Sequence, residues 1–185
     1  MPDDNLNVTM VRENLDQIPD FSLPPGFNLR PYRPGDEQDW LKIQTAADRY
    51  NTFSQALFDQ QFGDDRLQIA ERQLYLCDAH NMAIGTASAW FDDNYRGEAY
   101  GRVHWVAILP ERQGLGLAKP LMTATLQLLK TLGHKRAYLT TSTARFQAIN
   151  LYLQFGFMPE IDNGADLTVW RELLNRINKP GILSS

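Results

Sequence analysis

The mostly apolar run RVHWVAIL, residues 102–109, passes directly into the glycine-containing stretch PERQGLGLAKPLM, residues 110–122. Such a run is typical of a strand buried on both faces of a sheet. The amphipathic pattern LAKPLMTATLQLLKTLG that follows predicts a helix ended by Gly133. A buried strand that is joined to a helix by a short glycine turn constrains the chain to a layered α/β architecture.

The remaining elements fit a mixed β-sheet with helices on both faces, an α/β fold of the α+β type. We predict further strands at FNLRPY, QLYLCDA, MAIGTASAWF, RAYLTTST and FMPEI. Helices are predicted from RPGDEQDW, with Asp36 as N-cap, within residues 53–72 and at ARFQAINLYLQFG. DDNYRGEAYG is predicted to be a loop, and LTVWREL a last strand that could pass into a helix.

Length and composition narrow the class of protein. The 185 residues suit one domain, preceded by an extended arm over residues 1–26 and followed by a short tail over residues 179–185. The net charge of −4, with no basic run and no zinc-ligand spacing, predicts neither a nucleic-acid partner nor a metal site. No apolar run approaches the roughly 18 residues of a membrane span. We expect a cytoplasmic protein in which the lone Cys77 is a buried apolar residue.

The glycines of PERQGLGLA stand where a buried strand meets a helix N-terminus, an arrangement that can bind phosphate through backbone amides. A tight turn without a ligand is the alternative. A Walker A loop is excluded because Lys119 is followed by Pro120 and no hydroxyl stands there. A dinucleotide fingerprint is excluded because the third glycine is missing and the stretch lies in mid-chain.

The segment that begins at Gln113 matches the signature [QR]-x-x-G-x-[GA] at Gln113, Gly116 and Ala118. The later segment AINLYLQFGF, residues 148–157, matches the pattern A-x-x-L-Y-x-x-x-G-F. Together and in this order, the two segments resemble the GNAT superfamily of N-acetyltransferases. The resemblance covers residues 27–178 as one GNAT domain. The arm and the Tyr152 helix are also loosely similar to mycothiol-synthase-like members, which commonly carry two such domains.

This resemblance implies that acetyl-CoA is the cosubstrate and lies between the two central parallel strands. Its pyrophosphate would rest on the loop amides, and its pantetheine would pair with the end of the central strand. Arg145 replaces an asparagine of the family pattern and is either near the cofactor or solvated. The implied cofactor-binding residues are Val106, Ala107, Ile108, Gln113, Gly114, Leu115, Gly116, Leu117, Ala118, Lys119 and Arg145.

The resemblance implies direct acetyl transfer, with Tyr152 as the general acid that protonates the departing thiolate. A tyrosine merely packed on the core is the alternative. No carboxylate stands on the predicted central strands, so the general base is open. His104 has a suitable intrinsic pKa and alternates with Val106 and Ile108. Glu98 and a chain of water molecules are the other candidates.

The expected acceptor is a small-molecule or peptide amine that binds near residues 45–66, the loop at residues 92–100 and the C-terminal strands. Tyr50 and Asn51 are expected to face the cleft. The acidic side chains of that loop, Asp92, Asp93 and Glu98, either attract a cation or are simply solvated. A catalytically silent acyl-CoA sensor or scaffold, and transfer of an acyl group other than acetyl, are alternatives. A homodimer that uses VWREL is a further expectation from the family.

Overall fold

The computed structural model describes residues 5–184, which form seven strands and six α-helices. The strands are β1 Asn7–Arg12, β2 Asn28–Pro31, β3 Gln73–Cys77, β4 Ala83–Tyr95, β5 Glu98–Ile108, β6 Ala137–Ser142 and β7 Met158–Pro159. The helices are α1 Glu37–Ala47, α2 Gln55–Phe62, α3 Arg66–Arg72, α4 Ala118–Thr131, α5 Phe146–Gln154 and α6 Gly164–Arg176. Short 3₁₀ turns lie at Pro110–Arg112 and Pro180–Ser184.

One mixed sheet organises the molecule, with the strand order β2-β3-β4-β5-β6-β1-β7. Its neighbours are antiparallel except for β5 and β6, which run parallel. The prediction of a mixed sheet covered by helices on both faces is confirmed. The longest described helix, α4, has 14 residues. Within residues 5–184, no helix combines the length and the apolar character needed to cross a bilayer.

Two hydrophobic cores hold the helices to the sheet. One contains Trp40 of α1, Phe58 and Phe62 of α2 and Tyr75 of β3, all at most 2% exposed. The other contains side chains of α4, α5 and α6, among them Leu126, Ile149 and Trp170. Burying one such side chain contributes about 1.5–3 kcal/mol, so each core can fix its helices firmly.

The N-terminal segment differs from the predicted arm. Residues 7–12 form β1, an interior strand that pairs with β6 over six residues and with β7 over two. Val8 and Met10 alternate into the core. Arg12 is 6% exposed, and its guanidinium donates to the backbone carbonyls of Asn14, Gln17 and Phe155. Residues 13–27, which follow β1, run as irregular chain along the domain, and residues 1–4 of the predicted arm lie outside the described part.

Two predictions about helices are corrected. Residues 53–72 form two helices, because Gly63 has φ 73° and Asp65 begins a second helix by accepting hydrogen bonds from the amides of Leu67 and Gln68. LTVWREL is helical and not a strand. Asn163 caps α6, and Trp170, Leu173 and Leu174 recur at helical spacing and bury one face. VWREL, named for a dimer, therefore lies on a helix.

The predicted loop DDNYRGEAYG is the tip of a β-hairpin. Strand β4 continues to Tyr95 and β5 begins at Glu98, with Arg96 at φ 54° and Gly97 at φ 80° in the turn. Two left-handed residues are typical of the tight turns that join antiparallel strands. The Tyr95 ring stacks on Tyr138 of β6, with centroids 3.8 Å apart. The tip of the hairpin therefore packs against β6, and its residues 92–100 do not line the cleft described next.

Candidate functional site

The parallel strands β5 and β6 separate soon after they meet. Their register contains only two pairs, Gly101 with Ala137 and Arg102 with Tyr138. Beyond these pairs β5 continues to Ile108 while pairing with β4, and β6 continues to Ser142 while pairing with β1. The facing edges of the two strands thus open into a V, where another extended chain can be accommodated.

A cleft of about 1110 Å³ fills this V and extends over the loop that follows β5. Drug-sized ligands occupy roughly 300–1,000 Å³, so the cleft suits a larger or elongated molecule. Leu115, 48% exposed, is the one predicted cofactor-binding residue that does not line it. The predicted residues that do are His104, Val106, Ala107, Ile108, Gln113, Gly114, Gly116, Leu117, Ala118, Lys119, Arg145 and Tyr152.

The loop at residues 113–119 presents free backbone amides. Gly114 and Gly116 both have φ 76°, a conformation that glycine adopts without strain, and nothing lies within 4 Å of a Cβ built on either. Within the described chain, the amides of residues 114–119 donate no hydrogen bond. They stand at the N-terminus of α4, where the helix dipole favours an anion.

Gln113 serves the loop differently from the expectation. Its backbone amide donates to Pro110 O at 3.2 Å and is therefore already used within the turn. Its side-chain amide donates to Ile108 O at 2.9 Å and ties the loop to the end of β5. The amides that are free to bind an anion therefore begin at Gly114. Two basic side chains, Arg112 and Lys119, also line this end of the cleft, and Arg112 is held by Asp78 at 3.2 Å.

These features fit an acyl-CoA molecule. Free amides and two cations at one end match a pyrophosphate, and the unpaired strand edges match an amide-containing arm. The residues that would hold it are those of the loop 114–119 and of the strand end 106–108.

A β-bulge lies in the middle of the V. Between β4 and β5 the register shifts from Thr86–Ala107 to Ser88–His104, and Trp105 has φ 51°. Gln44 of α1 donates to Trp105 O at 2.8 Å and stabilises this geometry. The bulge interrupts the strand alternation. Trp105 consequently packs on the same helical layer as His104, with the two rings 5.4 Å apart.

His104 lies in the cleft wall with 6% of its surface exposed. Its Nε2 lies 2.9 Å from Gln61 Oε1, and Trp105 Nε1 donates to the same oxygen at 3.2 Å. An indole N–H can only donate, so Gln61 Oε1 is an acceptor and His104 Nε2 carries the proton. Nδ1 then holds the lone pair. Burial, reinforced by the charge of Arg102, holds the pKa of His104 well below its ordinary value and keeps the ring neutral.

Tyr152 of α5 lines the opposite side of the cleft and is 8% exposed. Its hydroxyl makes no hydrogen bond with the described part of the chain, while its ring packs against Phe157, with centroids 6.2 Å apart. Burial raises the pKa of Tyr152 to about 12, and the charge of Arg145 opposes this only in part. The phenol is therefore protonated at neutral pH and can donate a proton.

Arg145 closes one end of the cleft through Asp48, at the end of α1. Arg145 Nη2 lies 2.6 Å from Asp48 Oδ2, and the guanidinium lies 5.8 Å from the centre of the Tyr50 ring. Asp48 also accepts from Asn51 Nδ2 and from the Tyr50 amide. Burial raises the pKa of Asp48, but these hydrogen bonds and the Arg145 charge outweigh it and leave a net lowering. Tyr50 and Asn51 do line the cleft.

The other acidic candidates lie elsewhere. Glu98 is not in the cleft wall; it pairs with Arg136 at 2.7 Å and has a side chain 59% exposed. Asp92 accepts from the Tyr138 hydroxyl at 3.0 Å. Among residues 5–184, no group of three or more His, Cys, Asp or Glu side chains could hold a metal ion.

Sequence reasoning did not single out Asp48 or Gln61. Both stand on the helical layer, and each meets its partner across a long stretch of chain: Asp48 meets Arg145, and Gln61 meets His104. Local sequence patterns do not predict contacts between residues so far apart in the chain. Their location inside the predicted acceptor region, residues 45–66, is the only signal in the sequence that pointed to them.

Comparison with known proteins is consistent with this geometry. Residues 38–157 match the model of the acetyltransferase (GNAT) family. A mycothiol acetyltransferase of Pseudarthrobacter chlorophenolicus is 30% identical over 152 residues, which span 76% of this chain and 45% of that protein. One from Paenarthrobacter aurescens is 31% identical over 149 residues, with the same coverage. The chain thus spans about half the length of these relatives.

Solved structures share the fold at lower sequence identity. A GCN5-related N-acetyltransferase from Sphaerobacter thermophilus has a TM-score of 0.69 and 20% identity, covering 83% of this chain and 48% of that chain. Arabidopsis thaliana Naa50, in complex with the bisubstrate analogue CoA-Ac-MVNAL, has a TM-score of 0.58 and 17% identity, covering 75% of this chain and 85% of its own. Since the family model spans most of the domain and its signature residues lie in the cleft, this chain belongs to the GNAT acetyltransferase family.

Proposed function

We propose that this protein transfers an acetyl group from acetyl-CoA to a primary amine of a small molecule or peptide, by direct transfer. One observation supports this most strongly: a single cleft holds the free loop amides, the unpaired edge of β5, a neutral histidine and a protonated tyrosine. A cofactor-binding module alone would need the first two features only.

Binding would orient the cosubstrate before any chemistry. Its pyrophosphate would accept hydrogen bonds from the amides of residues 114–119 and would be neutralised by Arg112 and Lys119. Its pantetheine arm would follow the β5 edge at residues 106–108, next to the bulge. The thioester would thereby be held between His104 and Tyr152, so that proximity supplies much of the rate enhancement.

The reaction needs one bond formed, one broken and two proton transfers. The amine nitrogen forms a bond to the acetyl carbon, and the carbon–sulfur bond breaks. His104 Nδ1 takes a proton from the amine, because its lone pair is free while Nε2 is fixed on Gln61. The Tyr152 hydroxyl gives a proton to the thiolate. Solvent then returns a proton to Tyr152 and removes the one on His104.

Acetyl transfer is tested by incubating the protein with acetyl-CoA and a panel of amines while measuring released CoA thiol and acetylated product by mass spectrometry. Product that forms with a defined amine, and not without protein, supports the proposal. Saturable acetyl-CoA binding without transfer to any amine would contradict it and would favour the silent sensor. Repeating the assay with longer acyl-CoA donors establishes the acyl preference.

A further inference from the structure

Arg102 is a cleft cation that contacts an aromatic ring but pairs with no carboxylate of residues 5–184. It lies on β5 two residues before His104, lines the cleft, and rests over the Tyr138 ring, 5.6 Å from its centre. Its Nε is fully buried and has no hydrogen-bond partner, and its guanidinium forms no ion pair within residues 5–184. Leaving a half-buried guanidinium unpaired is costly, so its position indicates a group supplied by a ligand.

That group does not belong to the pyrophosphate of the cosubstrate. Arg102 lies six strand residues before Ile108, where the phosphate-binding loop begins, which amounts to roughly 20 Å along β5. Arg112 and Lys119 already stand beside that loop. Arg102 instead lines the same cleft as residues 46–51 and Gln61, where the acceptor is expected.

The charges around the cleft lead to the same conclusion. Its lining holds five basic side chains and one acidic one, whereas the whole chain has a net charge of −4. Arg112 is paired with Asp78, and Arg145 with Asp48. Asp92, a carboxylate of the hairpin, accepts from the hydroxyl of Tyr138, the ring over which Arg102 lies. An acceptor that carries only positive charge would therefore be repelled by Arg102.

We propose that the acceptor is an amine that also carries a carboxylate, and that Arg102 binds this carboxylate while the amine lies beside His104. This inference rests on the proposed acetyl transfer. Side chains two residues apart on one strand lie roughly 7 Å apart on the same face, so one small acceptor can contact both. A guanidinium offers the two parallel N–H donors that a carboxylate accepts.

The test compares acceptors that differ only in this group. Values of kcat/KM are measured for ω-amino acids of increasing spacer length, for their carboxamides and for aminoalkyl phosphates. We expect carboxylates to exceed the matching carboxamides by about tenfold or more, as one charge-assisted hydrogen-bond pair predicts. Arg102→Gln should reduce that ratio to about one, Arg102→Glu should reverse it, and Arg171→Gln, an exposed arginine on α6, should leave it unchanged.

The outcomes separate this inference from the function it rests on. Transfer that shows no preference for an anionic acceptor, or a preference that Arg102→Gln retains, overturns the inference alone. No transfer to any amine overturns both. A preference for phosphate that disappears in Arg102→Gln supports the anion site but overturns the carboxylate assignment. Thermal melting of Arg102→Gln and Arg102→Met, which keeps the stem over Tyr138, verifies that the variants fold.

Discussion

His104 Nε2 lies 2.9 Å from Gln61 Oε1, an oxygen that also accepts from the Trp105 indole at 3.2 Å. This shared acceptor fixes the histidine tautomer and leaves the lone pair on Nδ1. The proposed role of His104 as general base rests on this contact, which joins α2 to the bulge of β5.

Gln61→Met should lower turnover without unfolding the protein, because methionine keeps the volume but offers no strong acceptor. Loss of one hydrogen bond that selects the tautomer predicts a decrease in kcat of about tenfold. The ¹⁵N chemical shifts of His104 should change from those of an Nε2–H tautomer to those of a mixture. Gln60→Met, at the neighbouring exposed position on α2, is the matched control. Unchanged histidine shifts in Gln61→Met would contradict the positioning role.

Tyr152→Phe should decrease kcat by about a hundredfold, the lower end of the range for a general acid. The KM for acetyl-CoA should change by less than about twofold, because the ring still packs on Phe157 and the loop amides are untouched. Steady-state kinetics over a range of acetyl-CoA concentrations measures both. Full turnover in this variant would remove the acid role from Tyr152.

The free energy of unfolding should decrease as the pH is lowered from about 6.5 toward 5. The buried His104 has a lowered pKa in the folded protein, so over this range the unfolded chain binds the proton more readily and is favoured. The expected loss is up to about 1.4 kcal/mol for each pH unit. Urea unfolding at several pH values measures it.

His104→Gln should make the free energy of unfolding less dependent on pH. His134, whose pKa is also lowered by burial and by Arg72, should retain its smaller share in that variant. An unchanged slope in His104→Gln would show that His104 is not buried in its neutral form.

The ion pair of Asp48 and Arg145 should couple the end of α1 to the start of α5. A double-mutant cycle with Asp48→Asn and Arg145→Gln is expected to give a coupling free energy of about 1 kcal/mol, because the carboxylate is buried while the guanidinium is partly exposed. Chemical unfolding of the four proteins provides the values. Additive effects would mean that the pair does not hold the mouth of the cleft.

Much of the fold was predictable from local patterns. The apolar run of β5, the glycine turn and the amphipathic α4 are consecutive in the sequence, so the strand, loop and helix could be placed together. The failures have physical reasons. LTVWREL, predicted as a last strand that could pass into a helix, is too short for its period to separate the two. Strand β1 is not predicted because it depends on pairing with the distant strand β6.

In the site, too, local motifs were predictable and contacts between distant segments were not. The residues of the loop and of α5 could be named from motifs, whereas the partners that set their chemistry could not. The bulge at Trp105, with φ 51°, is stabilised by Gln44, which donates to Trp105 O from 61 residues away in the sequence. Arg102 reads in the sequence as the first residue of an apolar strand, and only the divergence of β5 and β6 shows that it faces the cleft.

The most direct test of the central claim, that the cleft binds acetyl-CoA on the loop amides, is calorimetric titration of acetyl-CoA into the wild type, Gly116→Ala and Gly116→Glu. Both variants carry the same backbone strain at φ 76°, but only glutamate places a carboxylate where the pyrophosphate would lie. We predict binding by the wild type, weaker binding by Gly116→Ala and none by Gly116→Glu. Equal binding by all three folded proteins would contradict the assignment of the cofactor to this loop.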